Sequence, residues 1–294
     1  YSRLPKGLLA FHTPVDGART AFVEHLAEAA LLNGLDGVVK LHFTVSGEHL
    51  TLFKAQLAAW RNTLEDTYGC HFEVTYSTQK ASTDTLALDP SGQPLRDGTG
   101  QLVLRPGGHG ALIENLNDLA GDIILVRNID NVVPDAHKEA NLAWTKLLAG
   151  YLLEVQEEQY ALLKALHDQP NDPTVRELVI CFLADRLQAE VSLADDSKAL
   201  LERLDRPLRV CGMVPNSGEP GGGPFWVRDG QGRVTKQIVE GAQIEKNAPD
   251  QADILARATH FNPVDMVCGV SDWRGRPYDL TRFVDEAAVI ITSK

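Results

Sequence analysis

The chain has 294 residues, with 28 Lys and Arg against 40 Asp and Glu, so its formal net charge is −12. That length holds one large domain or two smaller ones around a real core, and 44% hydrophobic with 23% charged residues is ordinary for a soluble globular chain. The acidic balance excludes the basic footprint of a nucleic-acid or anionic-membrane binder, yet leaves room for a small anionic ligand held by local cations or backbone N–H groups.

In chain order, LLAFH (8–12) reads as a short strand and RTAFVEHLAEAALLNG (19–34) as a helix with a terminal glycine. VVKLHFTV (38–45) is a strand rich in β-branched residues. Ser46 is placed to cap a helix through Tyr68, with Glu48 and His49 in its first turn. HFEVTYS (71–77) is the next strand, and TDTLALD and QLVLR are paired short strands flanking PSGQPLRDGTG. DIILVRN (122–128) reads as a central parallel strand buried on both faces. Residues 136–205 carry helical patterns broken at PNDP (170–173), after which strands return at 208–214, 225–240 and 264–270. No internal repeat stands out. The expected architecture is a three-layer α/β sandwich with a mixed, mostly parallel sheet and a helical insert.

No apolar run nears the roughly 20 residues of a membrane-spanning helix. The start, YSRLPKGLLAFHTP, has no signal-peptide pattern, and Cys70, Cys181, Cys211 and Cys268 form no C-x-x-C. A cytoplasmic chain with reduced thiols is the expectation. Opening on Tyr1 and ending in EAAVIITSK, it reads as a piece of a longer polypeptide.

Ligands of parallel α/β sheets sit beyond the carboxyl ends of the strands. DIILVRNIDNVVPD delivers Asn128, Asp130 and Asn131 to such an end. Asp130 there is either a Mg²⁺ ligand shared with substrate phosphates or, with Asn131, part of an Asx turn. In LRPGGHGALIENLNDL, Gly107, Gly108 and Gly110 surround His109 just before a helix, where bare backbone can approach an anion or a polar base. The spacing is neither a P-loop nor a dinucleotide fingerprint. NSGEPGGGPFWV (216–227) is either a sugar-facing loop led by Glu219 or a surface hairpin, and HFNPVD (260–265) offers Asn262 or Asp265 as a second metal ligand. His42 reads as a satisfied core or edge histidine, and no G-x-S-x-G elbow occurs.

LPKGL, Gln79 in TYSTQK, PGGHGAL and a strand ending in NIDN, in that order, resemble the eukaryotic-type UDP-sugar pyrophosphorylases, nucleotidyltransferases of the GT-A-like nucleotide-diphospho-sugar transferase fold. KGLLAFH, LHFTVSGEH, STDTLALD, RPGGHGALIENLNDL, NIDNVVPD, GEPGGGPFWV and HFNPVD resemble, over nearly the whole chain, an uncharacterised bacterial family, the domain-of-unknown-function 4301 family. The resemblance implies that Lys6 contacts nucleotide phosphates and acts with Asp130 in catalysis. Gln79 reads the base edge, while Gly108, His109 and Gly110 lie against the base. Asp130 holds Mg²⁺, to which the residue reading adds Asp265 as a further ligand. Glu219, Gly221, Gly222, Asn262 and Lys294 face the sugar or its phosphate. It further implies a nucleotide-binding half at 1–135, the helical insert at 136–205 and a sugar-binding half at 206–294. The Gly-rich, Arg-containing phosphate loop that precedes the Pro-Lys motif in those enzymes is not in this sequence, which begins four residues before Pro5.

The implied reaction joins a nucleoside triphosphate to a sugar-1-phosphate and releases pyrophosphate, with Mg²⁺ and lysines neutralising charge. The alternative is a non-catalytic nucleotide-sugar-binding or regulatory module on the same fold. A glycosyltransferase is a third reading, for which no acceptor site is legible. No nucleic-acid or membrane partner is expected.

Overall fold

A computed structural model of the chain describes residues 4–14, 17–33, 37–218, 221–230, 232–245 and 247–288. The chain forms two compact units. One comprises Tyr1–Ala120, Val132–Leu142 and Asp279–Arg282; the other comprises Gly121–Asn131, Ala143–Tyr278 and Phe283–Lys294.

In the first unit, β1 (Ala10–His12) pairs antiparallel with β2 (Arg19–Thr20), and α1 (Ala21–Asn33) follows directly. β3 (Val38–Thr44) and β4 (His71–Ser77) are parallel, in register from Val38 opposite His71 to Thr44 opposite Ser77. Parallel neighbours need a crossover, and α2 (Leu50–Tyr68) supplies it. The helix does not start on Ser46: a 3₁₀ turn, Gly47–His49, intervenes, and Ser46 Oγ bonds the His49 ring at 2.7 Å instead of capping the backbone. Phe22 lies 4.6 Å from the Phe43 ring and meets Phe53 edge-on at 5.3 Å, with Leu26, Val39, Leu64 and Phe72 also buried. Full burial of a side chain such as Phe22 stabilises by about 1.5–3 kcal/mol.

Charges are buried beside this apolar core. Glu24 and Glu28 sit on the inward face of α1, Arg19 precedes them, and Lys138 lies in the opening turns of α4 (Asp135–Asp168); all four are buried. Lys138 Nζ is 2.5 Å from Glu24, 2.9 Å from Asp135 and donates to Val133 O at 2.8 Å. Arg19 pairs with Asp135 at 3.1 Å, the His12 ring is 3.1 Å from Glu24, and Val133 N–H donates to Glu28 at 3.2 Å. Buried ions persist only when paired in this way, so the knot tethers segment 132–142 to α1.

An exposed arm follows β4. β5 (Thr85–Leu86) pairs with β6 (Leu104–Arg105), and two matching turns lie between them, DPSGQ at 89–93 and DGTGQ at 97–101. Asp89 Oδ1 accepts from the N–H groups of Ser91 and Gln93, and Asp97 Oδ1 accepts from those of Thr99 and Gln101. Gly92 (φ +80°) and Gly100 (φ +85°) take the left-handed position each turn requires. The same D-x-x-G pattern recurs at Asp229–Gly232 and Asp272–Gly275, a repeated device that the sequence reading missed. α3 (Ile113–Asn117) completes this part.

In the second unit, β7 (Ile123–Arg127), β13 (Asp265–Gly269) and β8 (Leu208–Cys211) form a three-stranded sheet in the order β7-β13-β8. Both pairings are antiparallel. This corrects the expectation for 122–128: β7 is an edge strand with Leu125 38% exposed, and β13 is the buried centre. An apolar run cannot announce its neighbour's direction. The rest of α4 packs with α5 (Pro173–Asp185) and α6 (Ser197–Leu204) around Leu163, Leu166, Val179, Phe182, Leu200 and Leu204. The expected break at PNDP is real: Asp172 caps α5 by accepting from Thr174 and Val175 N–H, with Pro173 in the first turn. Buried Gln159 donates to Leu204 O and Arg206 O, satisfying carbonyls at the end of α6. β10 (Gly223–Arg228) and β11 (Val234–Val239) form a hairpin, α7 (Pro249–Ala256) follows, and β12 (His260–Phe261) pairs with β9 (Val214–Pro215).

The fold class is thus mixed α/β with helices and small sheets. Among the described residues the β3–β4 pair is parallel and the other pairings are antiparallel, so the expected mostly parallel sheet is not what these strands form. No described helix is long and apolar enough to cross a membrane.

Candidate functional site

In the first unit, the carboxyl end of the parallel pair is a polar platform. The His42 ring bonds Thr75 Oγ1 through Nδ1 and Ser77 Oγ through Nε2, each at 2.8 Å. Burial lowers the His42 pKa, which favours the neutral ring between two hydroxyls. Asn115, 4% exposed, donates from α3 to Ser77 Oγ at 2.8 Å and to Thr78 O at 2.9 Å. The start of α3 is therefore tied back to the end of β4.

Gln79 stands just beyond. Its carboxamide meets the backbone of Gly107: Gly107 N–H donates to Oε1 at 2.8 Å and Nε2 donates to Gly107 O at 3.2 Å. A Cβ on Gly107 would stand 2.8 Å from Thr83 O and 2.9 Å from Ala111 Cβ, so only glycine allows this approach. Gly108, His109 and Gly110 are exposed, and a Cβ on Gly108 or Gly110 would meet nothing within 4 Å. Bare backbone thus faces open space, and a 3₁₀ turn, His109–Leu112, leads into α3. Lys80 is paired with Asp118 at 2.7 Å. Lys6 opens a 3₁₀ turn directly after Pro5 and is exposed. A cavity of about 360 Å³ in this unit is lined by Leu31, Tyr68, Asp135, Lys138, Glu139 and Leu142. Its Lys138 and Asp135 belong to the buried knot and are already paired.

The second unit gathers the other candidates around the ends of β7 and β13. Ile129 and Asp130 form the turn that leaves β7, closed by Asn131 N–H donating to Asn128 O at 3.0 Å, and Asp130 is half-buried there. Asn131 Nδ2 reaches Pro263 O at 3.4 Å, which joins the NIDN and FNPVD turns. Asn262 is buried: Nδ2 donates to Gly212 O at 2.7 Å, Oδ1 accepts from Val264 N–H at 3.1 Å, and its own N–H donates to Gly222 O at 2.8 Å. These bonds hold Val264 at φ +57°, a strained position for a β-branched residue. Arg127 grips Asp265 with both arms of its fork, Nη2 to Oδ2 at 3.0 Å and Nε to Oδ1 at 3.3 Å. At Gly222 a Cβ would meet Ile238 Cγ2 at 2.6 Å and Glu240 Oε1 at 3.0 Å, so the space beside this glycine is filled by the protein itself. Gly221 is exposed, with Phe261 as its neighbour. Glu219 and Lys294 lie outside the described residues.

Magnesium can be tested against these donors. Among the described residues no three His, Cys, Asp or Glu side chains are grouped to hold a metal ion. Both oxygens of Asp265 are engaged by Arg127, so Asp265 does not suit the role of second ligand. Asp130 suits the sparser coordination that Mg²⁺ accepts, one carboxylate with phosphate oxygens and water.

The chain is thus mixed α/β, with glycine-rich and Asx turns at strand ends. It belongs to the family described as Domain of unknown function (DUF4301), which matches residues 1–294. No curated protein matches it.

Proposed function

We propose that this chain is a nucleotidyltransferase of the nucleotide-diphospho-sugar transferase type, forming a nucleotide sugar from a nucleoside triphosphate and a sugar-1-phosphate with release of pyrophosphate. The observation that carries the reading is the open Gly108–Gly110 backbone beyond the carboxyl end of β4, where parallel α/β units bind ligands. The ordered PKG, PGGHG and NIDN motifs support it, as does the parallel β3-α2-β4 unit. In this reading the base rests on Gly108–Gly110 beside His109, and Lys6 meets the phosphates. In the second unit Asp130 would be the carboxylate ligand of Mg²⁺, whose contribution when bound would be charge neutralisation. Asn262, already spent on the backbone of Gly212 and Val264, shapes the sugar-side turn. A sugar phosphate is anionic before it attacks, so the reaction needs no general base, and the neutral His42 suits such a site.

The test is pyrophosphate release from a panel of nucleoside triphosphates and sugar-1-phosphates with Mg²⁺, using the natural full-length protein. Release that falls at least ~100-fold in Asp130→Ala is expected if the metal is lost with its carboxylate. No release and no binding across the panel refutes the proposal. Binding without release favours a non-catalytic nucleotide-sugar-binding module. The Arg127–Asp265 pair favours that second reading, since it leaves Asp130 to hold a metal without Asp265.

A further inference from the structure

We infer that Gln79 is a clasp for the glycine-rich loop and not a reader of the base edge. The inference deepens the nucleotide reading by reassigning one residue of that site. The clasp itself is a matter of local geometry.

The orientation of the Gln79 carboxamide follows from its surroundings. Only with Oε1 toward Gly107 N–H and Nε2 toward Gly107 O does each polar atom meet its complement, at 2.8 and 3.2 Å; Thr83 Oγ1 stands 3.1 Å from Oε1. A glutamine carboxamide has two N–H donors and one carbonyl oxygen. Here the oxygen and one donor are already taken by Gly107. To read a base through a donor and an acceptor together, Gln79 needs a lone pair that Gly107 N–H and Thr83 Oγ1 already occupy, which leaves it one N–H to offer.

The bonds lie where a clasp is useful. Gln79 and Lys80 enter the exposed 84–106 arm, and Gly107 leaves it, so the pair closes the arm's neck. Farther along, Asn115 ties the end of the same loop to Ser77 Oγ and Thr78 O. One short segment, Ser77–Gln79, thus holds the loop at both ends, with Gly108–Gly110 stretched between the tethers. Gly107 is required because any side chain would push the backbone off Thr83 O and Ala111. Base recognition then falls to the presented backbone, and Gln79 is a positioning residue.

The experiment measures amide hydrogen exchange of the full chain alongside nucleotide binding, for wild type, Gln79→Ala and Gln79→Glu. In Gln79→Ala, Gly107 exchange is expected to rise about tenfold or more, as loss of two hydrogen bonds implies, with the melting temperature nearly unchanged. Affinities for UTP, CTP, ATP and GTP fall by a common factor, so the preference among bases is kept. Gln79→Glu, which keeps the acceptor for Gly107 N–H and loses the donor, retains part of the protection. This variant also decides the matter if Gln79→Ala does not fold. Unchanged Gly107 exchange in both variants overturns the clasp. A flattened preference among bases overturns it as well, since that is the mark of a reader. If wild type binds none of the four nucleotides, the nucleotide reading fails, and the exchange of Gly107 still decides whether Gln79 is a clasp.

Discussion

Replacing Lys138 with Met tests whether the buried charge knot holds the first unit together. Lys138 is 3% exposed and lies 2.5 Å from Glu24, which is fully buried at 0%. Met roughly preserves the packing stem and removes the charge, so Glu24 keeps, among the described residues, His12 at 3.1 Å and Arg19 at 3.9 Å. Breaking a buried pair by removing one partner costs about 3–5 kcal/mol. The residual partners put the expected loss near the lower end, about 3 kcal/mol, or a melting temperature lower by roughly 6–12 °C. The double variant Lys138→Met with Glu24→Gln is expected to recover much of this, because no uncompensated carboxylate remains. Thermal and urea unfolding of the three variants measure it. A loss under about 1 kcal/mol in Lys138→Met, or a double variant no better than the single, refutes the reasoning. The pH dependence has two sides. Burial opposes the Lys138 charge, but bonds to Glu24 and Asp135 outweigh it and raise the pKa; the stability this gives is present below the unfolded-state value of about 10.4 and is lost in alkali as pH rises through the folded value. Asp135 is likewise disfavoured as an anion by burial, yet Lys138 and Arg19 lower its pKa, so its share is present above about 3.9 and is lost as pH falls through the folded value. Asp135 is half-exposed, so solvent reduces its share.

Arg127→Met leaves the Asp265 carboxylate, 9% exposed, without its fork, and should lower stability by about 3 kcal/mol, with Asp265→Asn in the same chain restoring part of it; urea unfolding checks both. In the arm, hydrogen bonds from Ser91 and Thr99 hold the Asp89 and Asp97 carboxyls below their usual range. The twin turns should therefore stay closed down to about pH 4 and loosen below it, read as faster exchange, relative to the intrinsic rate, at the Gln93 and Gln101 amides. Asp97→Ala should remove that protection at Thr99 and Gln101 at neutral pH and leave the Asp89 turn intact; equal loss at both turns would show that they do not fold independently.

Much of the local structure is legible in the sequence. The stretch from Ala21 to Ser77 reads as helix, strand, helix, strand because its periodicities alternate, and its described residues fold in that order, while Arg19 and Thr20, expected in the first helix, form β2 against β1. The PNDP break works through Asp172 and Pro173, residues whose capping chemistry is local. The repeated D-x-x-G turns were equally readable and were overlooked, because four residues are too few to stand out as a repeat until their hydrogen bonds are seen. The candidate site was legible as motifs, and the contacts its side chains make were not. Gln79 was expected to read a base, but nothing in its neighbours reveals that Gly107 would occupy its amide. Gly222 was expected to make room for a sugar, and Ile238 and Glu240 fill that room.

Helices, turns and caps depend on neighbours within about four residues, and an apolar period survives as a pattern in the chain. Three features depend instead on distant partners. β7 becomes an antiparallel edge because β13 arrives 138 positions later, as the Arg127–Asp265 bond records. Glu24 and Glu28 lie on the buried face of α1 because Lys138 and Val133 meet them there. Asp265, expected to bind metal, is held by Arg127. A carboxylate's pattern in the chain says that it can carry a charge, while the cation that answers it is chosen by the fold.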